Sequence, residues 1–246
     1  MSLPDLATLD PATLDAALAA TWPAEATLRA GPFLLRRGSG GGRRTMAATL
    51  EGESFIADDL ALADAQMRAW GQTPRFRVRA TEPALAEALA AAGHAGTDPT
   101  ILMAAPAGVL AAIEVPRLSA FDIWPPLAIQ TEIWAEGGIG PDRLAVMERV
   151  AGPRTALLGR HDDRPAATAF LAAEGPVAMI HAVHVRAAFR RKGLARRLFG
   201  HAGRWAAAQG CSHVALAVNA DNDAATALYG AIGMVEAGRY AYWAAP

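Results

Sequence analysis

The segment Ile180-His181-Ala182-Val183-His184-Val185-Arg186-Ala187-Ala188-Phe189-Arg190-Arg191-Lys192-Gly193-Leu194-Ala195 passes from an apolar run through a basic turn into a run with helical periodicity. Its apolar part, Val177 to Val185, reads as a strand, and Gly193 to Gln209 reads as a helix stopped by Gly210. A turn of this kind brings free backbone N–H groups and the positive end of a helix dipole to one point, beside side chains too small to block approach. That is an anion seat. Arg186, Arg190, Arg191 and Lys192 surround it, and Arg196 and Arg197 continue along the helix as partners for a pyrophosphate. A solvated, arginine-rich helix start accounts for the same residues. A DNA recognition helix over Arg190 to Gly210 fits less well, because no turn-helix partner precedes it.

Downstream, a strand His213 to Val218 is followed by Asn219-Ala220-Asp221-Asn222, a short helix Asp223 to Ala231 ended by Gly233, and a last strand Met234 to Trp243. Upstream, a helix Pro141 to Ala151 leads into strands Thr155 to Arg160, Ala166 to Ala173 and Val177 to Val185. Their connecting turns are His161-Asp162-Asp163 and Glu174-Gly175-Pro176.

The first half opens on Asp10-Pro11, an N-cap with proline at the first helical position, and this helix should stop before Pro23. Phe33 to Arg37 and Thr45 to Leu50 read as a hairpin around Gly38-Ser39-Gly40-Gly41-Gly42. A phosphate cradle there is disfavoured, because the loop leads into an expected strand rather than a helix. A helix capped by Asp58 or Asp59 runs to Trp70, with Gly71 after it. A strand Arg75 to Ala80, a helix from Pro83 to Gly93 and a strand Thr100 to Ala105 follow. The stretch holding Pro106, Pro116, Pro125 and Pro126 reads as a linker or crossover.

Shifting the chain against itself by 140 residues superposes Phe76 and Val78 on Leu216 and Val218, Pro83 on Asp223, Leu89 on Tyr229 and Gly93 on Gly233. Strand, helix and stop coincide, which predicts two related domains, 1–110 and 111–246. Chance similarity between alanine-rich helices is the competing account.

Two motifs carry a resemblance. Arg190-x-x-Gly193-x-Ala195 after a strand, then Asn222-x-x-Ala225-x-x-Leu228-Tyr229-x-x-x-Gly233, resemble the paired motifs of the GNAT superfamily of acyl-CoA-dependent N-acetyltransferases, over about residues 130 to 246. The resemblance implies an α/β (α+β) fold of two GNAT-like domains, each a mixed, mostly antiparallel twisted sheet flanked by helices, in a tandem arrangement. It implies acetyl-CoA as cosubstrate, with Val183, His184 and Val185 along the pantetheine arm and Arg190, Arg191, Lys192, Gly193, Leu194 and Ala195 at the pyrophosphate. Asn222 would hydrogen-bond the cofactor near the opened strands, and Tyr229 would be the general acid for the departing thiolate. Arg191 and Ala195 stand where the family commonly has glycine, which narrows the room for phosphate. Asn222 also reads as an ordinary helix cap, and Tyr229 as a buried ring. The first half has Leu89, Glu82 and Leu50-Glu51-Gly52-Glu53-Ser54-Phe55 at the equivalent positions, so it reads as a degenerate copy whose carboxylates would repel a pyrophosphate.

The implied reaction is direct attack of a primary amine on the thioester in a ternary complex. The base is open among Glu174, His181, His184 and water; strand alternation should send the two histidines to opposite faces, and for the same reason His-x-x-His is a poor metal spacing, so no metal is expected. Ile133 to Arg143, with Glu136, reads as a loop over the acceptor, where Glu136 would attract an ammonium group. A helix end and turn fits those residues equally well. A CoA-binding regulatory module that acetylates nothing is the competing function.

Composition sets the remaining bounds. With 246 residues, 52% apolar and 19% charged, the chain can bury a full core. Arginine outnumbers lysine 22 to one, yet the formal charge is only −1. No chain-wide nucleic-acid or membrane partner is therefore expected, and the resemblance implies a small-molecule or peptide amine as the acceptor. Cys211 is the only cysteine, which excludes a disulfide scaffold and fits a reducing, cytoplasmic setting; with no basic partner in view it reads as a small core residue. Asp5, Asp10 and Asp15 without an early lysine or arginine argue against a signal peptide. Oligomeric state, a homodimer included, stays open.

Overall fold

Asp10 starts the first helix by local chemistry: its Oδ1 accepts hydrogen bonds from the amides of Ala12 at 2.8 Å and Thr13 at 3.0 Å, and Pro11 occupies the first turn. The structure, a computed structural model, describes residues 9–245. The N-terminal elements are α1 (Pro11–Ala20), β1 (Ala26–Ala30), β2 (Phe33–Arg37), β3 (Thr49–Leu50), α2 (Ala57–Ala69), β4 (Arg75–Arg79), α3 (Pro83–Ala91) and β5 (Ala95–Pro106). They are followed by α4 (Ala107–Ala111), β6 (Ala120–Ile123), α5 (Ala128–Glu136), α6 (Pro141–Arg149), β7 (Arg154–His161), β8 (Arg164–Glu174) and β9 (Val177–Val185). The chain ends with α7 (Leu194–Ala208), β10 (His213–Asn219), α8 (Asp223–Ala231) and β11 (Val235–Ala244). Gly71, Gly93, Gly210 and Gly233 follow helices and all have positive φ, so the stop signals act where the sequence places them.

The strands form a three-stranded sheet, β1-β2-β3, and an eight-stranded sheet in the order β4-β11-β5-β10-β9-β8-β7-β6. This is a mixed α/β architecture with a sheet rich in antiparallel pairs; only β9 and β10 run parallel among its strand pairs. β4 and β5, on the N-terminal side of residue 110, lie in the same sheet as β6 to β11. The pairing has a regular form: Phe76 of β4 faces Trp243 of β11, while Leu216 of β10 faces Met103 of β5. Adding 140 to Phe76 and subtracting 140 from Trp243 converts the first pair into the second. Each final strand thus pairs with the strand that the other half contributes, and β5 meets β11 where Thr100 faces Tyr240, itself a pair 140 residues apart.

Several local expectations are corrected. The expected hairpin keeps only its base: Phe33 pairs antiparallel with Leu50 and Leu34 with Thr49, while the glycine-rich loop leads into a 3-10 turn, Arg43–Met46, and the rest of β2 pairs instead with β1, a hairpin the sequence reading did not expect. Thr45 hydroxyl donates to the carbonyls of Gly40 and Gly42, tying that loop back on itself in place of strand pairing. The proline-rich stretch is not a bare linker, since it contains α4 and β6, and Ile133 to Arg143 is the end of α5, a turn and the start of α6. Ile133 and Trp134 are fully buried, so the apolar stripe of α5 outweighs the glycines that suggested a loop.

One core lies between α7 and the sheet, where Leu198, Phe199 and Ala202 meet Leu157, Ala167, Ile180 and Val214. Gly203 lets α4 approach closely: a Cβ there would sit 2.4 Å from the amide nitrogen of Ala111. On the opposite face of the sheet, Leu14 and Leu18 of α1 pack on Met179, Ala215, Tyr240 and Tyr242.

Candidate functional site

The site begins with a failure of pairing. β9 and β10 are hydrogen-bonded only from Val177–Met179 to His213–Ala215; beyond Met179 and Ala215 they part. Ile180, His181, Ala182 and Val183 on one strand and Leu216, Ala217, Val218 and Asn219 on the other then line a cleft of about 720 Å³. The inner edge of β9 beyond Met179 has no strand partner among the described residues, which leaves extended backbone open to a ligand.

A β-bulge shapes this edge. Ala182 has a φ of 51°, and the register with β8 skips there, so that His181 faces Phe170 and His184 faces Thr168. Those partners are two apart. The histidines therefore share a face, contrary to the alternation expected for an unbroken strand. Trp134 holds the bulge by donating its indole N–H to the Ala182 carbonyl at 2.8 Å.

His181 is 7% exposed and bonded at both ring nitrogens. Thr21 hydroxyl donates to the Ala17 carbonyl at 2.6 Å, so at 2.9 Å it accepts from His181 Nε2–H; Nδ1 then accepts from Arg44 at 3.3 Å. Burial first, and the Arg44 charge second, hold the imidazole well below its ordinary pKa of 6.5. A neutral ring with both nitrogens engaged is a poor proton acceptor. His184 lies outside the cleft lining, against Gly137, and burial followed by Arg190 lowers its pKa. Glu174 sits at the β8–β9 turn opposite Val177, at the closed end of the strands. Glu136 is not free for an ammonium group, because both its oxygens accept from Arg186.

Tyr229, on α8, lines the cleft from the α7 side, its ring 5.2 Å from that of Phe199. It is 8% exposed, and burial pushes its pKa up to about 12. The phenol is protonated throughout the neutral range. Asn222 also lines the cleft, while its side-chain oxygen caps α8 by accepting from the Ala225 amide at 3.1 Å.

The basic turn lies next to this edge. After a 3-10 turn at Ala187–Phe189, Arg191 takes a φ of 63° and Gly193 a φ of 76°, and no side chain caps α7. The first amides of α7, from Leu194 onward, are left without an intrahelical acceptor. Arg190, Arg191, Lys192 and Gly193 are exposed; Arg190 Nε donates to the Val185 carbonyl at 3.2 Å and Lys192 lies over the Phe189 ring at 5.4 Å. This unblocked helix start, continuous with an open strand edge, fits a cosubstrate made of a pyrophosphate joined to an extended amide-bearing arm.

Comparison with known proteins follows this geometry. Residues 122–234 match the model of the acetyltransferase (GNAT) family. The fold is that of the GNAT acetyltransferases. A GCN5-related N-acetyltransferase from Kribbella flavida superposes with a TM-score of 0.71 at 19% identity, covering 91% of this chain and 90% of that one. A tandem GNAT protein from the clavulanic acid biosynthesis pathway gives a TM-score of 0.65 at 18% identity, covering 91% and 84%. An acetyltransferase of the GNAT family from Novosphingobium aromaticivorans gives 0.56 at 17%, covering 92% and 96%. A search by sequence among curated proteins returns no match.

The opposite wall of the cleft went unread in the sequence. It is built by Trp22, Arg43, Arg44, Arg75, Tyr240 and Tyr242, with Asp98 and Arg143 at its borders. Two signals were available: Arg43-Arg44 directly follow the glycine-rich loop, and Tyr240 and Tyr242 are two apart on a strand and so share a face.

Proposed function

We propose that the chain is an acetyltransferase of GNAT type, which moves an acetyl group from acetyl-CoA to a primary amine by direct attack in a ternary complex. The observation that carries this reading is the gap between β9 and β10 with Tyr229 at its side, inside the segment that matches the family. Acetyl-CoA supplies the activated thioester.

The chain's own residues have distinct tasks. The α7 amides from Leu194, with Arg190, Arg191 and Lys192 around them, hold the pyrophosphate. The unpaired backbone of β9 around Val183 takes the extended arm as a further strand and offers an amide to the developing oxyanion. Asn222 uses its side-chain oxygen for the cap and, lining the cleft, turns its amide NH2 to the cosubstrate. Tyr229 donates a hydrogen bond to the departing sulfur, a role its raised pKa keeps available at any working pH. Neither Glu174, His181 nor His184 is placed to take the amine proton, so water in the open cleft receives it.

We further assign residues 1–110 to a degenerate copy of the 111–246 domain. The 140-residue shift supports this, since it maps α3 onto α8 and β4·β11 onto β10·β5. Leu89, at the place of Tyr229, is fully buried in an apolar cluster, and Glu82, at the place of Asn222, is ion-paired to Arg79. The test is thiol release from acetyl-CoA with a panel of primary amines. Amine-dependent release supports transfer, and persistent absence of release with retained CoA binding favours a regulatory module.

A further inference from the structure

The two mouths of the cleft differ in chemistry. The α7 face carries Tyr229, Ile180 and Leu216, all part of the apolar cluster under α7. The opposite face carries Tyr240 and Tyr242, packed with α1, and there the lining holds four guanidiniums: Arg43, Arg44, Arg75 and Arg143. Among the described residues Asp98 is the only carboxylate in the lining, and it pairs with Arg43 at 2.9 Å. Arg44, Arg75 and Arg143 form no ion pair among the described residues.

Arg44 is the most committed of them. It lies beside the Tyr240 and Tyr242 hydroxyls, its Nη1 reaches His181, and its Nε is buried with no hydrogen-bond partner. A buried guanidinium N–H without an acceptor is costly to keep, and because Arg44 lines the cleft an oxyanion seated there would supply the missing acceptor. Arg75, which like Arg44 acts on Tyr242, adds a second cation that forms no ion pair although Asp98 lies within electrostatic reach, and Arg143 is exposed. With Asp98 spent on Arg43, the remaining cations give the cleft a positive field that acts on whatever enters.

We propose that the acceptor is a small amine that also carries an oxyanion group, a carboxylate or a phosphate, seated on Arg44 between the two tyrosines with Arg75 and Arg143 behind it. This rests on the acetyltransferase reading and names its substrate class. The positive lining repels a second ammonium group, so diamines and polyamines are excluded, while the anion draws the molecule in from the face opposite α7. The reacting amine must then be neutral, which the same positive surroundings favour by lowering its pKa.

The test compares acceptor pairs that differ only in the anion: amino acids, β-alanine included, against their amides, and aminoalkyl phosphates against the matching amino alcohols. Thiol release is measured with the wild-type chain, Arg44→Gln, Arg44→Lys and the exposed Arg143→Gln. The expected result is a preference of tenfold or more in kcat/KM for at least one anionic series. Arg44→Gln reduces it to within about threefold, mainly through KM, Arg44→Lys restores part of it, and Arg143→Gln weakens it without affecting folding. The series preferred identifies carboxylate or phosphate. Neutral or dicationic amines reacting as well as their anionic partners overturns the proposal and leaves acetyl transfer standing. The same compounds are titrated calorimetrically without acetyl-CoA: anions that bind wild type and not Arg44→Gln, with no thiol release from any amine, overturn acetyl transfer and retain the oxyanion seat. No binding and no preference overturns the seat.

Discussion

Arg44 Nη1 lies 3.3 Å from His181 Nδ1, so the 3-10 turn after the glycine-rich loop reaches across to the bulged strand and adds to the burial that keeps its histidine neutral. Protonating His181 would set an N–H against the guanidinium and break the contact.

A pH dependence of stability follows. Because the folded state holds the His181 pKa well below 6.5, the folded chain binds fewer protons than the unfolded chain as the pH drops through that value. Stability is intact above about pH 6.5 and falls on further acidification. Denaturant midpoints between pH 7.5 and 5 should decline for the wild-type chain, and His181→Gln should flatten the decline while lowering the plateau.

Tyr229 acts at the other end of the scale. Its pKa of about 12 against an ordinary 10.0 means that the unfolded chain loses this proton first. Stability is full below pH 10 and declines above it, by up to roughly 2–3 kcal/mol from this residue. Tyr229→Phe should remove that share of the alkaline loss. Tyr242, whose pKa burial and Tyr240 also raise, should account for a further share.

The sequence made the α7 side of the site legible and hid the other. Strand, basic turn, helix and the Asn222–Tyr229 spacing are local features, written in one stretch between Val177 and Tyr229, and local punctuation such as Gly193, Gly210 and Gly233 places them. The exchange of β5 and β11 left no local mark; only the register of Phe76 on Trp243 and of Leu216 on Met103 displays it. The shared face of His181 and His184 depends on a bulge at Ala182 that an unbroken apolar run does not announce, and that Trp134 secures from a distant helix. Arg44 meets His181 across 137 residues, a contact of tertiary origin.

Helix packing offers a direct check on the core. Gly203→Ala would place a methyl carbon 2.4 Å from the Ala111 nitrogen and 2.8 Å from the Ala107 carbonyl oxygen, backbone atoms that cannot rotate away. A loss of about 1–3 kcal/mol is expected from overpacking, with the sheet intact by circular dichroism.

At the helix start the balance tips the other way. Arg191 adopts a φ of 63°, a left-handed conformation that costs a non-glycine residue about 1–2 kcal/mol. Arg191→Gly relieves this at a smaller entropic cost in the unfolded chain, so a net gain of about 0.5–1 kcal/mol is expected in a thermal melt. Affinity for CoA should change by only a few fold, since one exposed charge is exchanged for easier access to the helix amides.

The lack of a placed base has a kinetic signature. With water as the proton acceptor, log kcat should rise with pH at a slope of about one up to the pKa of the bound amine, and His181→Gln or His184→Gln should leave that slope in place. A plateau removed by either substitution would assign the base to that histidine.

The central claim is that the gap between β9 and β10 delivers a thioester to Tyr229. Steady-state thiol release by Tyr229→Phe, alongside calorimetric CoA binding, tests it most directly. The account predicts kcat lower by about a hundredfold or more with CoA affinity within about threefold of wild type. Unchanged turnover in a variant that folds and binds CoA would contradict it.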